Sequence, residues 1–313
     1  MRINAPKVSV CIPVYNGERF LLEAVESAIK QTFEDFEVVI VDNASTDETK
    51  LIIEEIASEN RRIRFFINDT NIGIVGNFNA CLTHARGKYI KFLCADDMLL
   101  PTCLEDMIRE FDTNPFVSLV VGGRLIVDEN GQTVDKRSYA KTETVISGMS
   151  VINRCLFGAN YIGEPTAVMF QREMTMRGFR EDLSHLMDLE MWFYLLEKGD
   201  LVSLPAPLCG IRHHAGQMTI QSIKSGALIE NNIRLFEDYG KKEYINNTWL
   251  NRTSRRFRMA YRVWITRQYL DPLRKREILR EHSSLLAYCL LMPVLSLLLS
   301  TLCKISLFRI KTR

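Results

Sequence analysis

The chain has no paired cysteines. Its eight cysteines stand singly, with no Cys-x-x-Cys among them, so neither a zinc site nor a disulfide framework is indicated, and reduced cytoplasmic thiols are the plain reading. Low-complexity stretches and internal repeats are missing too, which excludes fibrous, solenoid and linker-dominated architectures. No secretory leader is expected, because the first strand-like apolar run begins already at Val8. Charge of one sign is scarce in the total: 40 Lys+Arg stand against 38 Asp+Glu, a net +2. No nucleic-acid-binding module accompanies the basic residues, so nucleic acid is not an expected partner. What is present is a chain of 313 residues, 47% hydrophobic, able to bury a full core in one large domain with an appendage.

Apolar runs of strand length repeatedly stop at polar groups. Tyr89-Ile90-Lys91-Phe92-Leu93 passes through Cys94 and Ala95 into Asp96-Asp97. Val8-Ser9-Val10-Cys11-Ile12 runs into Pro13-Val14-Tyr15-Asn16-Gly17, and Val38-Val39-Ile40-Val41 into Asp42-Asn43-Ala44-Ser45-Thr46-Asp47. Ile63-Arg64-Phe65-Phe66-Ile67 leads to Asn71-Ile72-Gly73, with Asn77 beyond. Adjacent carboxylates at a strand end either form an exposed turn or hold a hard cation such as Mg²⁺ or Mn²⁺ against a diphosphate. The second reading gains weight because open α/β sheets bind ligands outside the carboxyl ends of their strands.

Between these runs, Phe20, Leu21, Ala24, Val25, Ala28 and Ile29, and then Leu51, Ile52 and Ile56, recur at helix spacing. Ser45-Thr46-Asp47-Glu48 has the shape of a capping box. Strands alternating with such helices predict right-handed βαβ units, hence an α/β fold with a mostly parallel sheet and flanking helices. Phe116–Val121 reads as a further buried strand, and Arg124–Asp128 with Thr133-Val134 as a hairpin around Asn130-Gly131. Asp188 precedes Leu189, Trp192, Phe193, Leu195 and Leu196, whose spacing marks a buried helical face. An acid there opposes the helix dipole.

In this order, Pro13-Val14-Tyr15-Asn16, Val41-Asp42-Asn43-Ala44-Ser45-Thr46-Asp47, Asn71-x-Gly73-x-x-x-Asn77 and Ala95-Asp96-Asp97 resemble family 2 glycosyltransferases of the GT-A fold, over roughly the first 220 residues. The resemblance implies a Rossmann-like sheet and an inverting enzyme that uses nucleotide sugars. It implies that Pro13 and Tyr15 line the base pocket and that Asn16, Asn71, Gly73 and Asn77 serve the nucleotide. Asp42 would accept the imide N–H of uracil or thymine, Asp96 would face the ribose, and Asp97 would hold the Mn²⁺ or Mg²⁺ that bridges the phosphates. Asp42 has a second reading, an Asx turn closed on its own loop. The family often writes Asp-x-Asp-Asp, and Cys94 stands at the first of those positions.

The resemblance also makes Asp188 the general base. Met187 replaces the usual Glu before it, and Glu190 takes the place of a second Asp. Gly163-Glu164-Pro165-Thr166 resembles an acceptor-side loop, to which Glu190 and Trp192 would contribute; an ordinary Pro turn is the other reading. In Arg212-His213-His214, His214 matches a residue that approaches the metal or diphosphate, or is a hydrogen-bonded structural histidine. In such a transfer one carboxylate takes the proton from the acceptor hydroxyl as it attacks the anomeric carbon opposite the departing diphosphate. The transition state is oxocarbenium-like, and the cation neutralises the leaving group. A polyprenyl-phosphate sugar synthase, whose phosphate acceptor needs no base, and a noncatalytic nucleotide-sugar-binding protein stay open as alternatives.

Charge is unevenly spread. Residues 241 to 313 carry 16 Lys or Arg against 4 Asp or Glu, which leaves 24 against 34 elsewhere. Arg252, Arg255, Arg256, Arg258, Arg262 and Arg267 are interleaved with Trp249, Phe257, Tyr261, Trp264 and Tyr269. The run from Leu285 to Cys303 is uncharged, contains Pro293, and meets Lys304, Arg309, Lys311 and Arg313. It reads as a helix or bent hairpin in the bilayer interface, a span, or a soluble packing helix. The expected division is a catalytic domain over 1–220, a basic helical extension over 221–282 and a membrane-associating segment over 283–313. The expected place of work is the cytoplasmic face of a bacterial cell membrane, on a glycan or lipid-linked acceptor of cell-surface polysaccharide.

Overall fold

The computed structural model describes residues 5–214 and 225–266. Strand β1 (Val8–Val14) is the centre of a parallel block, with β2 (Phe36–Asp42) on one side and β4 (Tyr89–Phe92) on the other. Strand β3 (Ile63–Ile67) extends the block beyond β2, again in parallel. Helices α1 (Leu21–Ile29), α2 (Thr49–Glu59) and α3 (Gly73–His84) make the crossovers. Both faces of β1 and β2 are covered, which is why they read as continuous apolar runs rather than alternating ones. Helix α1 buries Leu21, Ala24, Val25 and Ala28, one stripe at helical spacing. Each larger aliphatic side chain so buried contributes about 1.5–3 kcal/mol. Val14 and Asp42 are paired at the ends of β1 and β2, and β4 ends three residues short of them, Phe92 opposite Cys11, so the loops leave from the same edge of the block.

Beyond β4 the sheet changes character. Strand β4 pairs antiparallel with β9 (Val168–Gln171), which pairs antiparallel with β6 (Val117–Val127), and β6 runs parallel to β10 (Asp200–Arg212). With β5 (Met98–Leu99) at the edge, the order is β3-β2-β1-β4-β9-β6-β10-β5. The expectation of a mostly parallel sheet is therefore corrected to a mixed one. The chain leaves α5 (Gly148–Phe157) and enters β9 through a 3-10 turn at Pro165–Ala167, next to the polar end of β4, so β9 has to run back down the sheet.

Strand β6 is one long strand, where the sequence suggested two pieces parted at Gly122-Gly123. A Cβ on Gly122 would lie 2.9 Å from Leu208, and one on Gly123 only 2.5 Å from the Pro205 carbonyl. The pairing with β10 slips between Leu204 and Cys209. The glycines let the bulged β10 close against β6 without ending the strand. The hairpin to β7 (Thr133–Arg137) forms as expected, with Gly131 at φ +79° and Asp128 Oδ1 accepting from the Asn130 and Gln132 amides. Strand β8 (Thr144–Ile146) pairs with β10, α4 (Cys103–Thr113) packs on β6, and α6 (Met187–Leu196) buries Leu189, Met191, Trp192, Phe193, Leu195 and Leu196.

The chain forms two compact units, Met1–Gln217 and Met218–Arg313. The second contains α7 (Ala227–Tyr239) and α8 (Trp249–Thr266). Arg255 of the basic stretch is an internal tie: its Nη2 donates to the Asn232 carbonyl at 2.6 Å, and its guanidinium lies 3.7 Å from the Phe236 ring centre. Trp249 and Leu250 are exposed. Among the described residues no helix is long and apolar enough to cross a membrane. The run Leu285–Cys303 and the expected boundaries at 220 and 282 lie outside the described residues.

Candidate active site

The loops after β1 and β2 are stapled to each other. The Asn16 amide donates to Ser45 Oγ and the Thr46 amide to Asn16 Oδ1, each at 2.8 Å, while the Gly17 amide donates to Thr49 Oγ1. Asn16 and Ala44 sit at φ +50° and +58°. Asparagine tolerates that region, but for alanine it costs about 1–2 kcal/mol, so the surrounding bonds have to impose it. Asp42 is buried and accepts from both the amide and the hydroxyl of Ser45, which is the local-turn alternative realised. A carboxylate offers about four acceptor positions, so this turn does not exhaust it. The expected capping box does not form: Ser45 Oγ is committed to Asp42, and Asp47 instead accepts from the Thr49 and Glu18 amides ahead of α2. Tyr15 is half exposed at the rim, with Pro13 half-buried behind it.

Asn71, Gly73 and Asn77 belong to an amide cluster under these loops. Asn43 Nδ2 donates to Asn71 Oδ1 at 2.9 Å, and the Gly73 amide donates to the same oxygen; Gly73 has φ +77°. Asn77 is buried and donates from Nδ2 to the carbonyls of Val14 and Val41 near the ends of β1 and β2; the Val14 carbonyl also accepts from the Asn43 amide. Its Oδ1 accepts from Asn68. The structure thus puts Asn77 behind the rim as a strand-end clamp, whereas Tyr15 and Asn16 lie on the rim itself.

Asp96 and Asp97 follow β4 as expected. Asp97 is only 4% exposed; Oδ2 accepts from Thr166 Oγ1 at 2.6 Å and Oδ1 from the Arg212 amide at 2.9 Å. Both donors are neutral, and burial, with the charge of Asp96 added, holds the Asp97 carboxyl well above the usual carboxylate range. Asp96 Oδ2 lies 3.0 Å from His214 Nε2. Oxygen atoms of Asp96 and Asp97 and the Cys94 sulfur fall within 4.8 Å of one another. Carboxylate oxygens suit Mg²⁺ or Mn²⁺, and a cation here would balance two adjacent acids, one of them deeply buried, so the donor set fits the metal expected.

Arg212 was legible in the sequence only as part of a stretch with His214, and it turns out to be the hub of this rim. Its Nε donates to the Asp96 carbonyl at 2.9 Å, Nη1 to the Glu129 carbonyl at 3.2 Å and Nη2 to Glu23 Oε2 at 2.6 Å. Its guanidinium also lies 4.6 Å from the Phe20 ring centre, and the same ring meets His214 at 5.3 Å. One buried arginine therefore joins α1, the β6–β7 turn and the acid pair. A lone Arg closing a long apolar strand is the signal that marks it.

The acceptor-side loop is held from two sides. Trp192 Nε1 donates to the Gly163 carbonyl at 3.3 Å, and Arg124 Nε lies 2.9 Å from Glu164 Oε2, an ion contact without hydrogen-bond alignment. Gly163 has φ +113°, and a Cβ there would strike the Arg124 guanidinium at 2.6 Å. Thr166 is buried; besides bonding Asp97, its Oγ1 accepts from the Cys94 amide, and its carbonyl accepts from buried Lys91.

Asp188 opens α6, half-buried, with Oδ1 accepting from the Leu189 amide at 2.7 Å. Burial pushes its carboxyl up to about 7; the Leu189 amide opposes that rise and the Glu164 charge adds to it. Glu164 acts in the same way on Asp97, so the acid pair, the loop and the base candidate form one electrostatic neighbourhood. Glu190 and Trp192 do not face this space directly. Glu190 is buried against Arg177 in a two-oxygen ion pair at 2.9 and 2.7 Å, and fully buried Trp192 reaches the acceptor side through the Gly163 carbonyl.

Acids thus lie at the polar end of a Rossmann-like block, with a further acid opening a helix across a tethered loop. Residues 9–179, more than half of the chain, match Glycosyl transferase family 2, and the chain belongs to that family. It is a glycosyltransferase of GT-A fold. Chondroitin synthase of Escherichia coli is 31% identical over 198 residues, covering 62% of this chain and 27% of that protein. Among solved structures, S. aureus TarS 1-349 in complex with UDP-GlcNAc superposes with TM-score 0.62 at 19% identity, covering 82% of this chain and 71% of that one. Mannosyltransferase PcManGT from Pyrobaculum calidifontis, in complex with GDP-Man and Mn²⁺, gives TM-score 0.58 at 16% identity, covering 95% and 81%.

Proposed function

We propose that this enzyme moves a sugar with inversion from a UDP- or dTDP-sugar to a hydroxyl of a glycan or lipid-linked acceptor, with Asp188 as the general base. The observation that carries the reading is the juxtaposition at the rim: Asp96-Asp97 at the end of β4, Asp188 at the start of α6, and the loop 163–166 bonded to both elements. Pro13, Tyr15, Asn16 and Asp42 bind and orient the nucleotide, while Asp96, Asp97 and His214 hold the cation and ribose. When bound, Mn²⁺ or Mg²⁺ supplies positive charge against the departing diphosphate. Asp188 takes the acceptor hydroxyl proton on its unbonded oxygen, and an ordinary carboxylate strengthened as a base by burial suits that task near neutral pH. A phosphate acceptor would need no such base, which favours a hydroxyl acceptor over the polyprenyl-phosphate alternative.

Support for glycan assembly comes from the likeness to chondroitin synthase, and support for a nucleotide-sugar donor and Mn²⁺ from the complexes formed by the structural neighbours. Thermal melting against a panel of nucleotide sugars with Mn²⁺ tests the donor class, since a ligand at 100 times its Kd adds about 2.7 kcal/mol of stability. UDP- or dTDP-sugars should raise the melting temperature and GDP-sugars should not; the reverse result overturns the base-pocket reading. We also place the enzyme at the cytoplasmic membrane face, through the basic, apolar C-terminal quarter. Sedimentation of the full chain with anionic liposomes checks this, and a protein that stays in the supernatant at low salt refutes it.

A further inference from the structure

Thr166 sits where two parts of the site meet. Its hydroxyl donates to Asp97 Oδ2 at 2.6 Å and accepts from the Cys94 amide at 3.0 Å, so one side-chain oxygen touches both the cation acid and the strand end that delivers it. Its carbonyl is gripped from beneath by buried Lys91. Three residues earlier, Gly163 is bound by Trp192 of α6, one helical turn past Asp188. The loop is thus a short strut with the cation acid at one end and the base-bearing helix at the other. Thr166 is wholly buried, so no water competes for the hydroxyl; without it the Arg212 amide would still hold Asp97 Oδ1, but Oδ2, the oxygen beside Asp96, would lose its fixed position.

We propose that Thr166 is a positioning residue: its hydroxyl fixes the Asp97 carboxylate for the cation, and through the same bond cation binding tightens the acceptor-side loop. The proposal rests on the reading of Asp97 as a cation ligand. Groups that orient metal ligands typically change affinity by about 10–100-fold when removed.

The test uses the full chain, with UDP and Mn²⁺ as probes. Free Mn²⁺ is followed by electron paramagnetic resonance while protein is titrated in the presence of UDP. Thr166→Val, which keeps the volume and loses the hydroxyl, should weaken Mn²⁺ binding by about 10–100-fold. Thr166→Ser, which keeps the hydroxyl, should bind as the parent does. Amide exchange over residues 159–167 should slow on adding Mn²⁺ and UDP in the parent and in Thr166→Ser, and stay unchanged in Thr166→Val. Should the valine variant not fold, Thr166→Ala carries the same expectation. Parent-like Mn²⁺ affinity in the hydroxyl-free variants, or equal loss in Thr166→Ser, overturns the proposal. Asp97→Ala separates the two levels: if it binds Mn²⁺ normally the cation reading itself fails, and if it alone loses Mn²⁺ only the role of Thr166 fails.

Discussion

The two halves of the catalytic sheet are built on different principles. In the nucleotide half, β1 to β4 are parallel, and the loops at their ends are tied by hydrogen bonds with no ion pair among them: Asn16 to Ser45 and Thr46, Gly17 to Thr49, Asn43 to Asn71, Asn77 to the Val14 and Val41 carbonyls, and the Asp47 carboxylate to the Glu18 and Thr49 amides. In the acceptor half, from β9 to β10, the ties are charged: Arg124 to Glu164, Arg177 to Glu190, Arg212 to Glu23. Hydrogen bonds that satisfy buried backbone groups make a rigid cradle. The ion pairs of the other half brace the loop 163–166, α6 and the strand end beside the acid pair, around the one raised carboxyl at Asp188. In the proposed reading the cradle holds the donor and the other half carries the base.

The sharpest way to break this division is Asp188→Asn. If chemistry resides in the acceptor half alone, the variant keeps UDP affinity by calorimetry and loses sugar transfer by a factor of about 10²–10⁴, the usual contribution of a general base. Transfer at near the parent rate would leave Asp188 as a helix-opening acid and nothing more.

The converse experiment strikes the cradle. Asn77→Ala removes one donor from each of the Val14 and Val41 carbonyls and one acceptor from Asn68, while the Asn43 amide stays on the Val14 carbonyl and Asn43 Oδ1 on Asn68. Each lost intramolecular hydrogen bond contributes about 0.5–1.5 kcal/mol. Urea unfolding of Asn77→Ala should therefore show a loss of about 2 kcal/mol or more, while transfer per folded molecule falls less than in Asp188→Asn. A variant of unchanged stability would mean that the strand ends find other donors.

The cradle was the more legible half because parallel strands covered on both faces leave unbroken apolar runs, and each run ends where its loop begins. Asp42, Asn71 and Asp96-Asp97 stand at those ends in the sequence and in the fold. The acceptor half hid itself for physical reasons. Gly122-Gly123 looked like a break in β6, because the bulge of β10 that needs them lies more than 80 residues further on. The antiparallel insertion of β9 is set by the tethering of Thr166 at the site, which no local pattern encodes. Ser45-x-x-Glu48 resembled a cap, yet Asp42 outcompeted the helix for Ser45. Glu190 and Trp192 were assigned to the acceptor side by the resemblance; in the fold Glu190 pairs with Arg177 and Trp192 bonds the Gly163 carbonyl of that loop, contacts that no local pattern encodes.

The smallest expected effect sharpens the comparison most, because it reads the raised carboxyl directly. The folded Asp188 carboxyl is raised from an ordinary value of 3.8 to about 7. Between those values the folded state binds more protons than the unfolded chain, so stability falls as pH rises through the window and the loss is complete above about 7. Asn cannot ionise, so Asp188→Asn should match the parent near pH 4 and be the more stable protein at pH 8. The slope approaches about 1.4 kcal/mol per pH unit only where the two states differ by a full proton, and partial solvation of Asp188 keeps it well below that. Melting temperatures of both proteins across pH 4 to 8 give the difference. A widening gap in favour of the inactive variant would show the base held at a cost to the fold. A gap that stays constant with pH would mean that Asp188 titrates as an ordinary carboxylate, and the contrast between a cradle tied by hydrogen bonds and a half built on ion pairs and a raised acid would lose its main support.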